Sequence, residues 1–189
     1  GAKLIVVACN TATIAAVEHL RAAYPVPFIG MEPAVKPAGA ASKTGVVGVL
    51  ATGAALAGEK FHKLLAAHAP QVRFITQPCP GLVECVERGE LDTAATRALV
   101  HQYTTPLLAQ QADVLVLGCT HYPFLRPLIQ DVAGAGITLL DTGAAVARQT
   151  QRVLERESLL STTPSSGEVE WHTSGDAVLF QQLRAKLSF

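Results

Sequence analysis

Residues 113–121 read DVLVLGCTH, and residues 3–11 read KLIVVACNT. Each opens on a polar residue, runs through a short apolar stretch rich in β-branched side chains, and closes on a small residue, a cysteine and hydroxyl or amide groups. An apolar run of this length without alternation marks a strand buried on both faces, as in a parallel sheet covered by helices. One device thus occurs twice, each time placing a cysteine where a strand ends and a helix begins.

Working outward from these two stretches, further short β-branched runs alternate with amphipathic segments, which defines the α/β class. Strands are expected at 4–8, 27–30, 45–50, 72–76, 114–118 and 137–141, with an additional edge strand at 168–173. Helices are expected over 12–24, where Ile14, Val17, Leu20 and Tyr24 share one face and Pro25 stops the run, and over 56–68, 91–111, 144–160 and 177–187. Pro106 is expected to kink the third of these, and STTPSSG at 161–167 reads as a polar loop.

Two stretches suggest crossings between domains: GMEPAVKPAGA at 30–40 and DTGAA at 141–145. The expected organisation is two doubly wound parallel-sheet domains related by a pseudo-two-fold. One is built from residues 1–31 plus 142–189, and the other, inserted, from 32–141. Residue 1 is Gly, the only methionine is Met31, and the chain enters a strand almost at once. The sequence therefore reads as a fragment lacking its natural N-terminus.

Composition narrows the class of ligand. Fifteen basic and fifteen acidic residues cancel, aromatics make up only 5%, and no basic stripe stands out. A nucleic acid or an anionic membrane surface is not the expected partner; a small polar molecule is. The 49% apolar content supports a full core, yet no apolar run is long enough to span a bilayer and no leader pattern opens the chain. The expected location is the cytoplasm.

The four cysteines, Cys9, Cys79, Cys85 and Cys119, form no CxxC pair, so neither a zinc site nor a disulfide framework is expected. Cys79 and Cys85 read as small packing residues. Cys9 and Cys119 differ, because each ends its apolar run and is followed at once by polar groups: Asn10, Thr11 and Thr13, or Thr120 and His121. A helix N-terminus favours negative charge and can bring a thiol from its free pKa of about 8.5 toward neutrality. Each cysteine is therefore a candidate proton carrier. Nucleophilic catalysis by Cys119 with His121 is the rival, but it leaves Cys9 without a role. Two thiols acting on opposite faces of one carbon suit racemisation or epimerisation.

VVACNTAT, IGMEPAVKPA, VGVLAT, CPGLVECVERGE, VLGCTHYPFL and TSGD, in this order, resemble the glutamate racemases of the cofactor-independent aspartate/glutamate racemase superfamily. The resemblance runs through essentially the whole chain. It implies an isomerase that interconverts L- and D-glutamate by two-base proton transfer at Cα, without pyridoxal phosphate or metal, in bacterial peptidoglycan synthesis and commonly as a cytoplasmic homodimer. It assigns the acid/base roles to Cys9 and Cys119, with His121 supporting Cys119. Asn10, Thr11, Thr120 and His121 would contact the substrate's amino and carboxylate groups, and Glu87 would be an acidic support.

Capping alone would also account for Asn10 and Thr11, and solvation for Glu87. The family opens one strand-helix-strand unit earlier, with Asp-Ser and Tyr-Gly motifs absent here. Where it often has Thr-x-Gly-Thr, this chain keeps Thr52 but has Ala54 and Ala55 in the later positions. A racemase of aspartate or another small acid, and a fragment that only binds, stay open as alternatives.

Overall fold

The structure is a computed structural model that describes residues 1–68, 70, 72–162 and 167–187. Two parallel sheets organise it. Strands β1 (Ile5–Val6) and β2 (Phe28–Ile29) pair with Ile5 opposite Phe28 and Val6 opposite Ile29. Strands β3 (Val46–Ala51), β4 (Arg73–Pro78), β5 (Val114–Leu117) and β6 (Thr138–Leu140) form a four-stranded layer in the order β4-β3-β5-β6.

The two expected central strands lie side by side, with Val47 opposite Val114 and Leu50 opposite Leu117. Alternation then sorts their side chains. Val47, Val49, Val114 and Val116 face one core, which also takes Ala34, Ala38 and Phe61 from helices α2 (Val35–Ala41) and α4 (Glu59–Ala66) and the turn before α2. Leu50, Leu115 and Leu117 face the other. There they meet Leu82 and Val86 of α5 (Leu82–Glu87), Val100, Tyr103 and Leu107 of α6 (Ala94–Ala109), and Leu128 and Ile129 of α7 (Arg126–Ala133). Both faces are covered, as an all-parallel sheet requires.

Close approach at the seam fixes two glycines. A Cβ on Gly48 would lie 2.6 Å from Leu115 Cδ2 and 2.8 Å from Leu107 Cδ1. On Gly118 it would lie 2.8 Å from the Leu50 carbonyl oxygen. Gly48 thus lets α6 settle onto the sheet, and Gly118 lets the chain leave β5 tightly against β3.

Helix α1 (Asn10–Ala23) follows β1 at once, with Cys9 as its N-cap, and α8 (Gly143–Arg156) follows β6 and packs beside β2. Several expectations change. The expected 56–68 helix is two, α3 (Gly53–Leu56) capped by the Thr52 hydroxyl and then α4, because Gly58 separates the turns. The 91–111 helix starts later, where Thr93 Oγ1 accepts the Thr96 N–H, and it carries Pro106 inside. Helices α2, α5 and α7 are not among the expected helices, and α2 overlaps the expected crossing at 30–40. The edge strand at 168–173 does not form: a strand needs a partner ladder, and Trp171 lies against Phe180 and Arg184 of helix α9 (Ala177–Leu187) instead. Of the polar loop at 161–167, residues 163–166 lie outside the described residues.

Asp113, just before β5, is the polar anchor of this layer. Its carboxylate accepts hydrogen bonds from Ser42 Oγ at 2.6 Å and from the Lys43 and Thr44 amides at 2.6 and 3.1 Å. Burial pushes its pKa up, but these donors outweigh burial and hold it below the usual carboxylate value.

Two outcomes follow. Gly48→Ala lowers stability by about 1–3 kcal/mol, measured by urea unfolding, because packed Leu107 and Leu115 must yield to the added methyl. Asp113 has a depressed native pKa, so its contribution is present above the unfolded value of 3.8 and is lost as pH falls through the lower native value. The gap in urea midpoint between the parent and Asp113→Asn is therefore expected to be wide at about pH 7 and to close at about pH 2.

Candidate active site

Because β3, β5 and β6 run parallel, the turns that follow them open at one sheet edge, where ligands of doubly wound folds bind. These turns carry Thr52, Cys119–Thr120–His121 and Asp141–Thr142. The Cys9–Asn10 turn that follows β1 meets this edge, since Asn10 lines the same cavity as Cys119, Thr120, Asp141 and Thr142. Met31 also lines it, and its volume is about 190 Å³. A larger hollow of about 400 Å³ between β2 and α8 is lined by none of the residues singled out from the sequence.

Cys9 holds extended backbone at the α1 N-cap, and its Sγ accepts the Ala12 N–H at 3.5 Å. Asn10, the first helical residue, is 3% exposed, yet its Oδ1 is buried without a hydrogen-bond partner. Buried acceptors are rarely left unpaired, so Asn10, which lines the cavity, is a residue whose hydrogen bonding is not completed among the described residues. Thr13 has a structural role: its hydroxyl donates to the Val7 carbonyl and accepts the Met31 N–H, fastening α1 to the exits of β1 and β2.

On the second motif, Cys119 Sγ lies 3.7 Å from His121 Nδ1, and His121 Nε2 lies 2.5 Å from Glu87 Oε1. This line runs from a half-buried thiol through a half-buried ring to an exposed carboxylate on α5. The Cys119 contact above all, and Glu87 after it, raise the His121 pKa to about 9 against the opposing effect of burial. Near neutral pH both ring nitrogens are therefore protonated, donating to Cys119 on one side and Glu87 on the other.

Thr11 and Thr52 meet across the two sheets, their hydroxyls 3.2 Å apart, while Thr52 Oγ1 also accepts the Ala55 N–H that caps α3. Seven of the eight residues singled out from sequence thus fall into three sets: Asn10, Cys119 and Thr120 on one cavity; Cys119, His121 and Glu87 in one line; and Thr11 with Thr52. Cys9 stands beside Asn10 at the start of α1. Cys79 and Cys85 are packing residues, each 2% exposed, and burial raises the Cys79 pKa to about 12. Sequence reasoning missed Met31, Asp141 and Thr142 as cavity residues. DTG directly after an apolar run was a usable sign of a strand-to-helix turn at the same edge.

Among the described residues, no three His, Cys, Asp or Glu side chains cluster as they would around a metal ion, and no helix is long and apolar enough to cross a membrane.

Comparison with known proteins gives this geometry its class. The Asp/Glu/Hydantoin racemase family model matches residues 1–150. A glutamate racemase from Herpetosiphon aurantiacus is 58% identical over 184 residues, 97% of this chain and 72% of that protein. One from Ectopseudomonas mendocina is 55% identical over 188 residues, 99% of this chain and 70% of that protein. Among solved structures, Escherichia coli glutamate racemase, in complex with L-glutamate and the activator UDP-MurNAc-Ala, superposes with a TM-score of 0.74 at 34% identity. That match covers 81% of this chain and 58% of the E. coli chain. A Bacillus anthracis glutamate racemase gives a TM-score of 0.80 at 28% identity over 99% of this chain and 71% of its own. The chain belongs to the Asp/Glu/Hydantoin racemase family and is an isomerase of the amino-acid racemase class.

The His121 environment sets a titration test. A raised native pKa stabilises the fold fully below the free value of 6.5, and that contribution is lost as pH rises through about 9. Followed by imidazole NMR, the His121 midpoint is expected to fall toward 6.5 in both Cys119→Ala and Glu87→Gln, with the larger fall in Cys119→Ala.

Proposed function

We propose that this protein interconverts L- and D-glutamate by moving the Cα proton between two thiols, Cys9 and Cys119. The observation that carries the reading is that Asn10, beside Cys9, and Cys119 line one cavity, although they come from separate strand ends. Support for glutamate as the substrate comes from the relatives named above.

In this mechanism one cysteine, as thiolate, removes the Cα proton from one face of the substrate, and the other, as thiol, delivers a proton to the opposite face. The roles exchange with substrate handedness. Asn10, in the cavity wall, contacts the substrate ammonium, which leaves the backbone amides and the hydroxyls of Thr11, Thr52 and Thr120 to the carboxylates. Negative charge builds toward the α-carboxylate as the proton leaves, so fixed donors there lower the barrier more than mobile water does. His121, held between Cys119 and Glu87, keeps the thiol oriented. No organic cofactor or metal takes part.

The two halves of the molecule in this reading are residues 1–31 plus 142–189, and 32–141. The packing of α8 beside β2 supports that division. D-glutamate for peptidoglycan, a cytoplasmic location and a homodimer belong to the same proposal, by likeness to the family. A second reading, aspartate or another small acid as substrate, draws on the Thr-x-Gly-Thr stretch. There Ala55 is buried and neither Ala54 nor Ala55 offers a hydroxyl.

The test is exchange in deuterated water. With L- or D-glutamate, loss of the Cα–H signal by NMR together with inversion of optical rotation is expected. Cys9→Ser and Cys119→Ser are each expected to slow racemisation by about a thousandfold or more. Full racemisation by either variant would overturn the two-thiol mechanism, exchange on aspartate alone would favour the second reading, and exchange on neither acid would leave a binding role.

A further inference from the structure

Besides Asn10 and Met31, the cavity is lined by two walls that share no strand. Cys119 and Thr120 follow β5, whereas Asp141, Thr142 and Gly143 follow β6 and open α8. The ladder between β5 and β6 sets these walls side by side, and beyond its end a charged pair ties them together. Arg126, the first residue of α7, donates from Nη2 to Asp141 Oδ2 at 2.5 Å and from Nη1 to the Leu139 carbonyl at 3.0 Å. The other carboxylate oxygen, Oδ1, accepts the Gly143 N–H at 2.8 Å at the start of α8. One carboxylate therefore links the segment that carries Cys119 to the end of β6 and to the first turn of the helix that closes the cavity.

Between Cys119 and Arg126 the chain has little freedom. The Tyr122 N–H donates to the Cys119 carbonyl, and Tyr122 and Leu125 are fully buried in the short 3₁₀ turn at 122–125. A displacement of Arg126 is thus transmitted to Cys119. Asp141 also sits where a negative charge complements the amide end of α8. With side chains 37% and 26% exposed, the pair is only partly desolvated, and the second bond from Arg126, to the Leu139 carbonyl, fixes the direction of the guanidinium as well as its distance.

We propose that Arg126 and Asp141 are positioning residues for Cys119 and Thr120, a strut that sets the width of the cavity and hence the distance of the thiol from Cα. The inference rests on the racemase reading above. Both act through the segments they join. Since a misplacement of about 1 Å can cost about a hundredfold in rate, loss of the strut is read in turnover before binding.

The experiment compares the parent chain with Arg126→Gln, Arg126→Lys and Asp141→Asn. Asp141→Asn keeps an acceptor for Gly143 and removes the charge. Arg97→Gln and Asp131→Asn are the controls, because that pair joins α6 to α7 and lies outside the cavity. Expected for Arg126→Gln and Asp141→Asn is a fall in kcat of about tenfold or more with KM within about threefold, partial recovery in Arg126→Lys, and no change in the controls. The second readout is independent of turnover: the rate of iodoacetamide alkylation of Cys119 relative to Cys9, by mass spectrometry. It is expected to shift by about threefold or more in the two strut variants only.

Parent-like kcat, or a fall matched by the controls, overturns the strut. If the parent itself does not racemise glutamate, the racemase reading fails, and the alkylation ratio alone decides the strut. An unchanged ratio then overturns it.

Discussion

The parallel pairing of β3 with β5 is the constraint on which the remaining structure depends. Gly118 N–H donates to the Leu50 carbonyl at 2.8 Å, close enough that no side chain fits at Gly118. Residues of one parity then face α2 and α4, and residues of the other face α5, α6 and α7. With both strands running the same way and in this register, Thr52 and Cys119 leave the sheet at the same edge. Slipping the register by one residue would exchange the two cores, and the β5 motif would lose its relation to the rest of the site.

Around that seam, polar side chains divide into those that complete the fold and those left open to a ligand. Asp113, Thr13 and Thr93 have their hydrogen-bonding capacity taken up by nearby backbone and serve as fasteners. Asn10 is the contrast, a residue of the cavity wall whose buried Oδ1 has no partner among the described residues. Cys119 and His121 stand between these extremes. They are paired with each other, half-buried and backed by Glu87, so that a proton can be held there without the full desolvation cost of an isolated buried charge.

Much of this was legible along the chain. The unalternating run at 114–117 announced a strand covered on both faces, whereas the similar run at 5–8 did not form one, since β1 is two residues long and Val6 is 38% exposed. A cysteine followed by amide and hydroxyl groups announced strand-to-helix turns with chemistry in them. Helix α6 was legible from its periodicity, although Pro106 argued for a kink. Burial of Val100, Tyr103 and Leu107 on one face outweighs the lost backbone bond. The 168–173 segment misled, because alternation of Val169 and Trp171 is a local property whereas a strand exists only if another strand lies beside it.

The sequence by itself determined the class of fold, the two cysteine turns and the family resemblance, because strand burial and turn chemistry are written in short contiguous stretches. Tertiary structure alone decided which of these residues meet. Asp141 entered the cavity wall through the parallel pairing of β6 with β5, and Glu87 reached His121 because α5 and the turn after β5 lie on the same face. Arg126 found Asp141 fifteen positions away because α7 begins where β6 ends. Contacts of this kind depend on the direction and register in which distant segments pack, and no local pattern of residues encodes either.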